Sequence, residues 1–319
     1  SFYGMLTILG YYLYYSMGDG GLGLPKTTAT GIVGAYGGLV YLSTVLGGWM
    51  ADRVLGMERT VFYGGVVVMC GHISLAILPG LTGVAVGLVL IALGAGALKA
   101  NASSLLGTLY DQGDPRRDGG FTLFYLGINL GAFAGPLITG LLQTSLGFHY
   151  GFGAAAVGMA LGLTQYVVFR RNLGGHGRTV PHPLSGNALW RSAAVAAAVV
   201  AVVAVGFVTG LVTLANLSQV TTLIIVLASV GYFAVMLTSP RVEKGERTRV
   251  RAFIPLFIAN AVFWSLFQQI FTVLAVYSDE RINWTVFGWT APSSWIGSME
   301  PVWIILLSPV FAVLGTKLG

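Results

Sequence analysis

An all-α, polytopic membrane helix bundle is the fold class this sequence predicts, on three observations. The chain is 55% hydrophobic and 9% charged, against about 25% charged residues in soluble domains. Its apolar runs reach the length of about 20 residues that a helix needs to cross a bilayer. They are continuous rather than short and alternating, and only helices and closed barrels satisfy the backbone in lipid. Helices are therefore selected.

Ten spans are expected, at roughly 1–17, 28–51, 60–79, 82–109, 120–145, 148–169, 192–214, 219–238, 252–277 and 295–316. The first opens inside an apolar, aromatic segment without a basic leader region, so it reads as a span and not as a signal peptide. The third holds Cys70 and His72; a lone cysteine forms no intrachain disulfide. The fourth carries Lys99, the only charged side chain between Arg59 and Asp111. In the fifth, Gly127, Gly131 and Gly135 recur at four-residue steps and predict tight helix contact. The stretch 192–240 is uncharged and fits two spans around a turn near Asn216–Gln219, a lipid-facing hairpin without chemistry. The expected organisation is a six-helix bundle at 1–169, a linker at 170–191, an inserted hairpin at 192–238, a second linker at 239–251, and the start of a second bundle at 252–319.

The distribution of cations tests the span count. Alternating ten spans puts Arg53, Arg59, Arg116, Arg117, Arg170, Arg171, Arg178, Arg191, Arg241, Lys244, Arg247, Arg249, Arg251 and Lys317 on one side. Lys26 and Arg281 fall on the other, and Lys99 lies in the membrane. Lys and Arg collect in cytoplasmic loops, so the N-terminus is expected in the cytoplasm, of a bacterial inner membrane. The net charge of +6 is this topological bias. The basic loops lack the interleaved aromatics of a nucleic-acid surface, and no nucleic-acid partner is expected.

Lys99 carries the functional expectation. A lysine deep in a membrane helix costs about 2.5–3.5 kcal/mol on insertion scales. An anionic substrate group or a carboxylate partner would offset that cost; the competing reading is a side chain that snorkels to the nearer interface. Asp52 and Arg53 close the second span within Gly47-Gly48-Trp49-Met50-Ala51-Asp52-Arg53-Val54-Leu55-Gly56-Met57-Glu58-Arg59. There an aspartate can accept hydrogen bonds from a neighbouring helix N-terminus. Gly18-Asp19-Gly20-Gly21-Leu22-Gly23 matches a dinucleotide fingerprint in letters alone, without the strand and helix that motif requires. His149, His176 and His182 have no metal-ligand spacing. No nucleophile has a neighbouring base, and an enzyme is not expected.

The Asp52 segment resembles the cytoplasmic gate motif of the major facilitator superfamily. A more specific match follows, from Gly94 through Lys99, Asn101 and Ser104, then Tyr110-Asp111 through Arg117 and Tyr125 to Asn129 and Gly131. With Ser1-Phe2-Tyr3-Gly4 and Phe263-Trp264-Ser265-Leu266-Phe267-Gln268-Gln269, it resembles the proton-dependent oligopeptide transporter family over essentially the whole chain. Bacterial members of that family also carry two extra helices between their halves.

The resemblance implies a proton-coupled symporter of di- and tripeptides working by alternating access, with a proton gradient as energy source and no cofactor. It implies that Lys99 holds the peptide carboxylate and takes part in proton coupling. Asn129 would bond the peptide backbone, Tyr3 and Tyr41 would line the cavity, and Trp264 would add an aromatic wall. Asp52, Arg53 and Gln268 would belong to gates. Three departures stand out. The family's first-helix pair of glutamates and its arginine precede the position of Ser1. Gln268 stands where many members have a glutamate, and glutamine cannot titrate. Glu300 precedes Pro301 where the family pattern has asparagine; it would pair with a peptide amine or titrate in place of the missing glutamate. The family would continue with four more helices, so a fragment of a longer protein is expected. The rivals are a carrier of nitrate or another small anion on the same fold, and a transport-incompetent membrane subunit. Oligomeric state is not readable.

Overall fold

The structure is a computed structural model that describes residues 1–111 and 113–318. Its helices are α1 (Phe2–Tyr14), α2 (Lys26–Met50), α3 (Met57–Ile77), α4 (Gly80–Gly107), α5 (Arg116–Leu146) and α6 (Phe148–Phe169). Then follow α7 (Gly186–Val208), α8 (Leu217–Thr238), α9 (Lys244–Phe267), α10 (Val273–Arg281) and α11 (Met299–Leu318). Nine helical segments among the described residues are long and apolar enough to cross a membrane. This is a polytopic helical membrane protein.

The expected first span is shorter in the structure. Helix α1 has 13 residues and buries a continuous run from Gly4 to Leu13. The chain then turns back on it: the Leu22 and Leu24 N–H groups donate to the Tyr12 and Leu13 carbonyls at 2.8 and 2.9 Å. Those carbonyls lie in the last turn, where a helix has no internal donors left. Met5, Ile8, Leu9, Tyr11 and Leu13 of α1 pack with Val40, Ile91 and Phe152 into one core. Protein side chains bury α1 along that whole run.

Small residues set the crossings. A Cβ on Gly47 would stand 2.6 Å from the Ala97 Cα, so α2 and α4 touch backbone to backbone. The Asn101 Nδ2 donates to the Gly47 carbonyl at 3.0 Å across that crossing. Of the three glycines expected to pack tightly in α5, Gly135 does, against Gly4. Nothing lies within 4 Å of a Cβ built on Gly127 or Gly131. Just before α5, the Asp114 carboxylate accepts the Arg116 N–H at 2.9 Å and the Arg116 guanidinium, which holds its carboxyl below the usual carboxylate range.

Two differences from expectation follow from local chemistry. Helix α9 starts at Lys244, inside the expected linker, because Glu243 and Glu246 form a reciprocal capping box. The expected ninth span is interrupted: Gln268–Phe271 form a 3-10 turn and Thr272 takes φ −125°, ψ −89°, dividing α9 from α10. No glycine or proline marks that break. Beyond α10, Thr285–Val286 (β1) pairs with Trp289–Thr290 (β2) around Phe287 and Gly288, both at positive φ.

The inserted hairpin divides its roles. Helix α7 buries none of its residues. Helix α8 packs on α2, with Ile225 and Thr221 over Gly38. The preceding linker is not slack. Its Gly177 carbonyl accepts the Glu58 N–H at 3.0 Å, and its His182 and Leu184 N–H groups donate to the Asp52 and Arg53 carbonyls at 2.9 and 3.2 Å.

Candidate functional site

Helices α1, α2, α4, α5, α9 and the start of α11 enclose a cavity that gathers seven of the expected site residues. Tyr3, Tyr41, Lys99, Asn129, Trp264, Gln268 and Glu300 all line it. Phe2, Tyr125, Phe267 and Phe271 complete its wall. The lining is mainly apolar and aromatic with a few convergent polar groups, as ligand cavities generally are.

Among the described residues no acidic oxygen lies within 4.0 Å of the Lys99 ammonium. The Nζ instead stands 4.2 Å from the centre of the Phe2 ring and 5.2 Å from that of Tyr41. Ring faces are negative, and this attraction reaches about 2 kcal/mol when desolvated. The contact offsets part of the burial cost, and among the described residues no acceptor takes a hydrogen bond from the ammonium.

The other groups complement it. Asn129 is buried and donates through Nδ2 to the Tyr125 carbonyl of its own helix at 2.9 Å, which fixes the amide at the cavity wall. Glu300 lies in the first turn of α11, where a carboxylate suits the positive helix end. Gln268 sits where α9 gives way to the 3-10 turn. That turn delivers Phe271 to a buried position 6.2 Å from the Tyr3 ring. An ammonium, a carboxylate, two amides and aromatic faces thus share one space. Such a set offers groups that complement an anion, a cation and an amide.

Asp52 and Arg53 lie apart from the cavity. They sit in a π-helical turn, Ala51–Leu55, at the end of α2, and are exposed. The expected hydrogen bonds from a helix N-terminus to the Asp52 carboxylate are absent among the described residues; its backbone carbonyl is what the linker engages. The buried acid at this end is Glu58, which sequence reasoning passed over. It has no solvent exposure and receives a two-pronged contact from Arg170, through Nε to Oε1 and through Nη2 to Oε2 at 3.0 Å. The Arg178 Nε stands 3.8 Å from it. No local signal separates Glu58 from the neighbouring loop charges, since its partners lie more than a hundred residues away.

A second polar cluster ties α1 and α2 to α10 at the opposite end of the bundle. The Tyr14 and Tyr15 hydroxyls each donate to Asp279 at 2.7 Å, and the Ser293 hydroxyl donates to it at 2.9 Å. Lys26 pairs with Glu280 beside them. The expected placement of Lys317 falls on a side chain outside the described residues.

Comparison with known proteins agrees with this architecture. The sequence profile of the POT family matches residues 58–319. An uncharacterised transporter of Bacillus subtilis (strain 168), YclF, is 46% identical over 100% of this chain and 65% of its own length. A di-/tripeptide transporter of Lactococcus lactis subsp. cremoris is 42% identical over 100% of this chain and 67% of its own. Among solved structures, a mutant peptide transporter POT in complex with sulfate superposes with a TM-score of 0.93 at 47% identity, over 100% of this chain and 66% of that one. A POT family transporter bound to 5-aminolevulinic acid gives 0.91 at 37% identity, over 100% and 67%. The chain spans about two thirds of the length of the relatives it matches. On the family profile, these identities and the shared fold, the chain belongs to the POT family.

Proposed function

We propose that this chain forms the first bundle and part of the second of a proton-coupled symporter for di- and tripeptides. Its arginine-rich end would face the cytoplasm of a bacterial inner membrane, and the two bundles would rock about the cavity. The observation that carries this reading is the shared cavity of Lys99, Asn129 and Glu300. A zwitterionic peptide offers a carboxylate, amides and an ammonium, and these three residues complement those groups in kind. Lys99 would hold the carboxylate, Asn129 a backbone amide and Glu300 the amine. Tyr3, Tyr41 and Trp264 would flank the peptide, giving apolar area with few hydrogen-bond demands.

Proton coupling is assigned to Lys99 and Glu300. Both are ionisable groups that share the substrate's space, so peptide charge and protonation state act on one another. Gln268 is assigned to gating without titration, at the junction of α9 and the 3-10 turn. The relatives named as di-/tripeptide transporters support the substrate class. A small-anion carrier would leave Glu300 as a repulsive group in the same cavity, which favours the peptide reading.

The test is uptake of labelled dialanine by the full-length protein in liposomes with an imposed pH gradient, acidic outside. Uptake is expected to follow the gradient, and Lys99→Ala is expected to abolish it. Uptake indifferent to the gradient, or intact in Lys99→Ala, would refute the proposal. Nitrate that competes where dialanine does not would favour the small-anion carrier.

A further inference from the structure

We infer that Ser298 is a positioning residue for substrate binding: its hydroxyl ties the start of α11 to α5 and so fixes how far Glu300 stands from Asn129. This rests on the proposed roles of Asn129 as the amide-binding group and Glu300 as the amine-binding group. The two residues line one cavity from two helices, Asn129 on α5 and Glu300 on α11.

The tie is part of a longer seam. Residues Ser293–Ser298 form a 3-10 turn that runs directly into α11 and packs along α5. The Ser298 Oγ donates to the Phe133 carbonyl at 2.8 Å, and the Trp295 Nε1 donates to the Leu137 carbonyl at 3.2 Å. These acceptors are one turn apart and bracket Pro136, which has no N–H to give to the ladder of α5. The seam therefore grips α5 where its own hydrogen bonding is weakest, one turn beyond Asn129. A serine ahead of a helix ordinarily turns its oxygen to the N–H groups of the first turn. Pro301, the third residue of α11, has no N–H to offer. The proton of the buried Ser298 hydroxyl goes to the neighbouring helix.

The seam has no slack. A Cβ on Gly297 would stand 2.3 Å from the Thr7 Cγ2, and one on Gly140 would stand 2.4 Å from the Ser294 Oγ. Close packing sets the depth of the turn against α1 and α5, and the two hydrogen bonds set its register. Glu300 follows Ser298 by two residues, so its place relative to Asn129 is set with them. In an α-peptide one carbon separates the amine from the first amide. Two groups held at a fixed gap read that separation. A ligand with a longer one must leave one of its polar groups poorly paired, which costs binding.

That gap supplies the test, by equilibrium binding to the full-length protein. β-Alanyl-alanine is an isomer of dialanine whose amine lies one bond further from the first amide. The parent is expected to bind dialanine about tenfold more tightly than this isomer. In Ser298→Ala the ratio is expected to fall to about twofold, whereas Ser298→Thr, which keeps the hydroxyl, is expected to retain it. General loosening of the fold would weaken both ligands alike and leave the ratio where it was. A parent that does not discriminate, or a ratio unchanged in Ser298→Ala, would overturn the inference. Acetyl-dialanine, which lacks the amine, checks the underlying role. Glu300→Gln is expected to weaken dialanine and not acetyl-dialanine, and any other pattern would refute Glu300 as the amine-binding group. A second readout needs no ligand. Spin labels on Leu130→Cys and Trp303→Cys, both exposed positions, are placed in a Cys70→Ser background. Their distance distribution is expected to be broader in Ser298→Ala than in the parent or Ser298→Thr. An unbroadened distribution would equally overturn the inference. Broadening in a protein whose parent binds no dialanine would sink the peptide reading and leave the seam standing.

Discussion

The two ends of the bundle are fastened in different ways. At the arginine-rich end, Glu58 is locked to Arg170 and approached by Arg178, all within or next to the first six helices. At the other end, the polar ties cross from those helices to α10: Tyr14 and Tyr15 reach Asp279, and Lys26 reaches Glu280. One set lies within the first six helices and their linker, while the other joins those helices to α10. A carrier that rocks needs ties that break at one end and ties that persist within each half. The first kind governs which conformation is populated, and the second governs whether the half survives at all.

The largest stability effect should come from the tie that lies within the first six helices and their linker. In Arg170→Ala, the fully buried Glu58 carboxylate keeps only the distant Arg178, and the loss is expected to be about 2–3 kcal/mol. Thermal unfolding of the purified protein measures it. A melting temperature equal to the parent's would show that Glu58 is not the anchor described here.

Asp279→Asn should act on conformation more than on stability. The asparagine keeps one acceptor oxygen, so one side of the clasp loses its acceptor and the other loses the charge that strengthens it, a difference of at least about 1 kcal/mol. In a Cys70→Ser background, a cysteine at the buried position Ser294 reports opening of that end. Its labelling rate should rise about fivefold, and an unchanged rate would remove the clasp from the description. Lys26→Ala should matter least, because both partners of that pair are substantially exposed and salt screens such pairs. Its melting temperature and labelling rate should match the parent's at physiological salt. A larger response than that of Asp279→Asn would invert the ranking of the two ties.

Much of this was legible in the sequence. Long apolar runs gave the spans, and the isolated charge at Lys99 pointed to the cavity. The resemblance added the other six residues that share it. Three features were not legible, each for a physical reason. The break at Gln268–Thr272 has no glycine or proline, so hydropathy averages across it. The pairing of Glu58 with Arg170 is a long-range contact, and local spacing carries no record of such contacts. The Phe2 ring beside the Lys99 ammonium is the third, an apolar residue no charge count would select. The start of α9 was available in principle, since Glu243 and Glu246 stand at capping-box spacing. Alternating charge masked that signal.

The docked linker carries one more implication. Backbone hydrogen bonds hook residues 177–184 onto the ends of α2 and α3, and α8 rests on α2. The inserted hairpin is therefore moored to the leading six helices at its root and along one flank. In the proposed rocking of two bundles, it would travel as a passenger of the first.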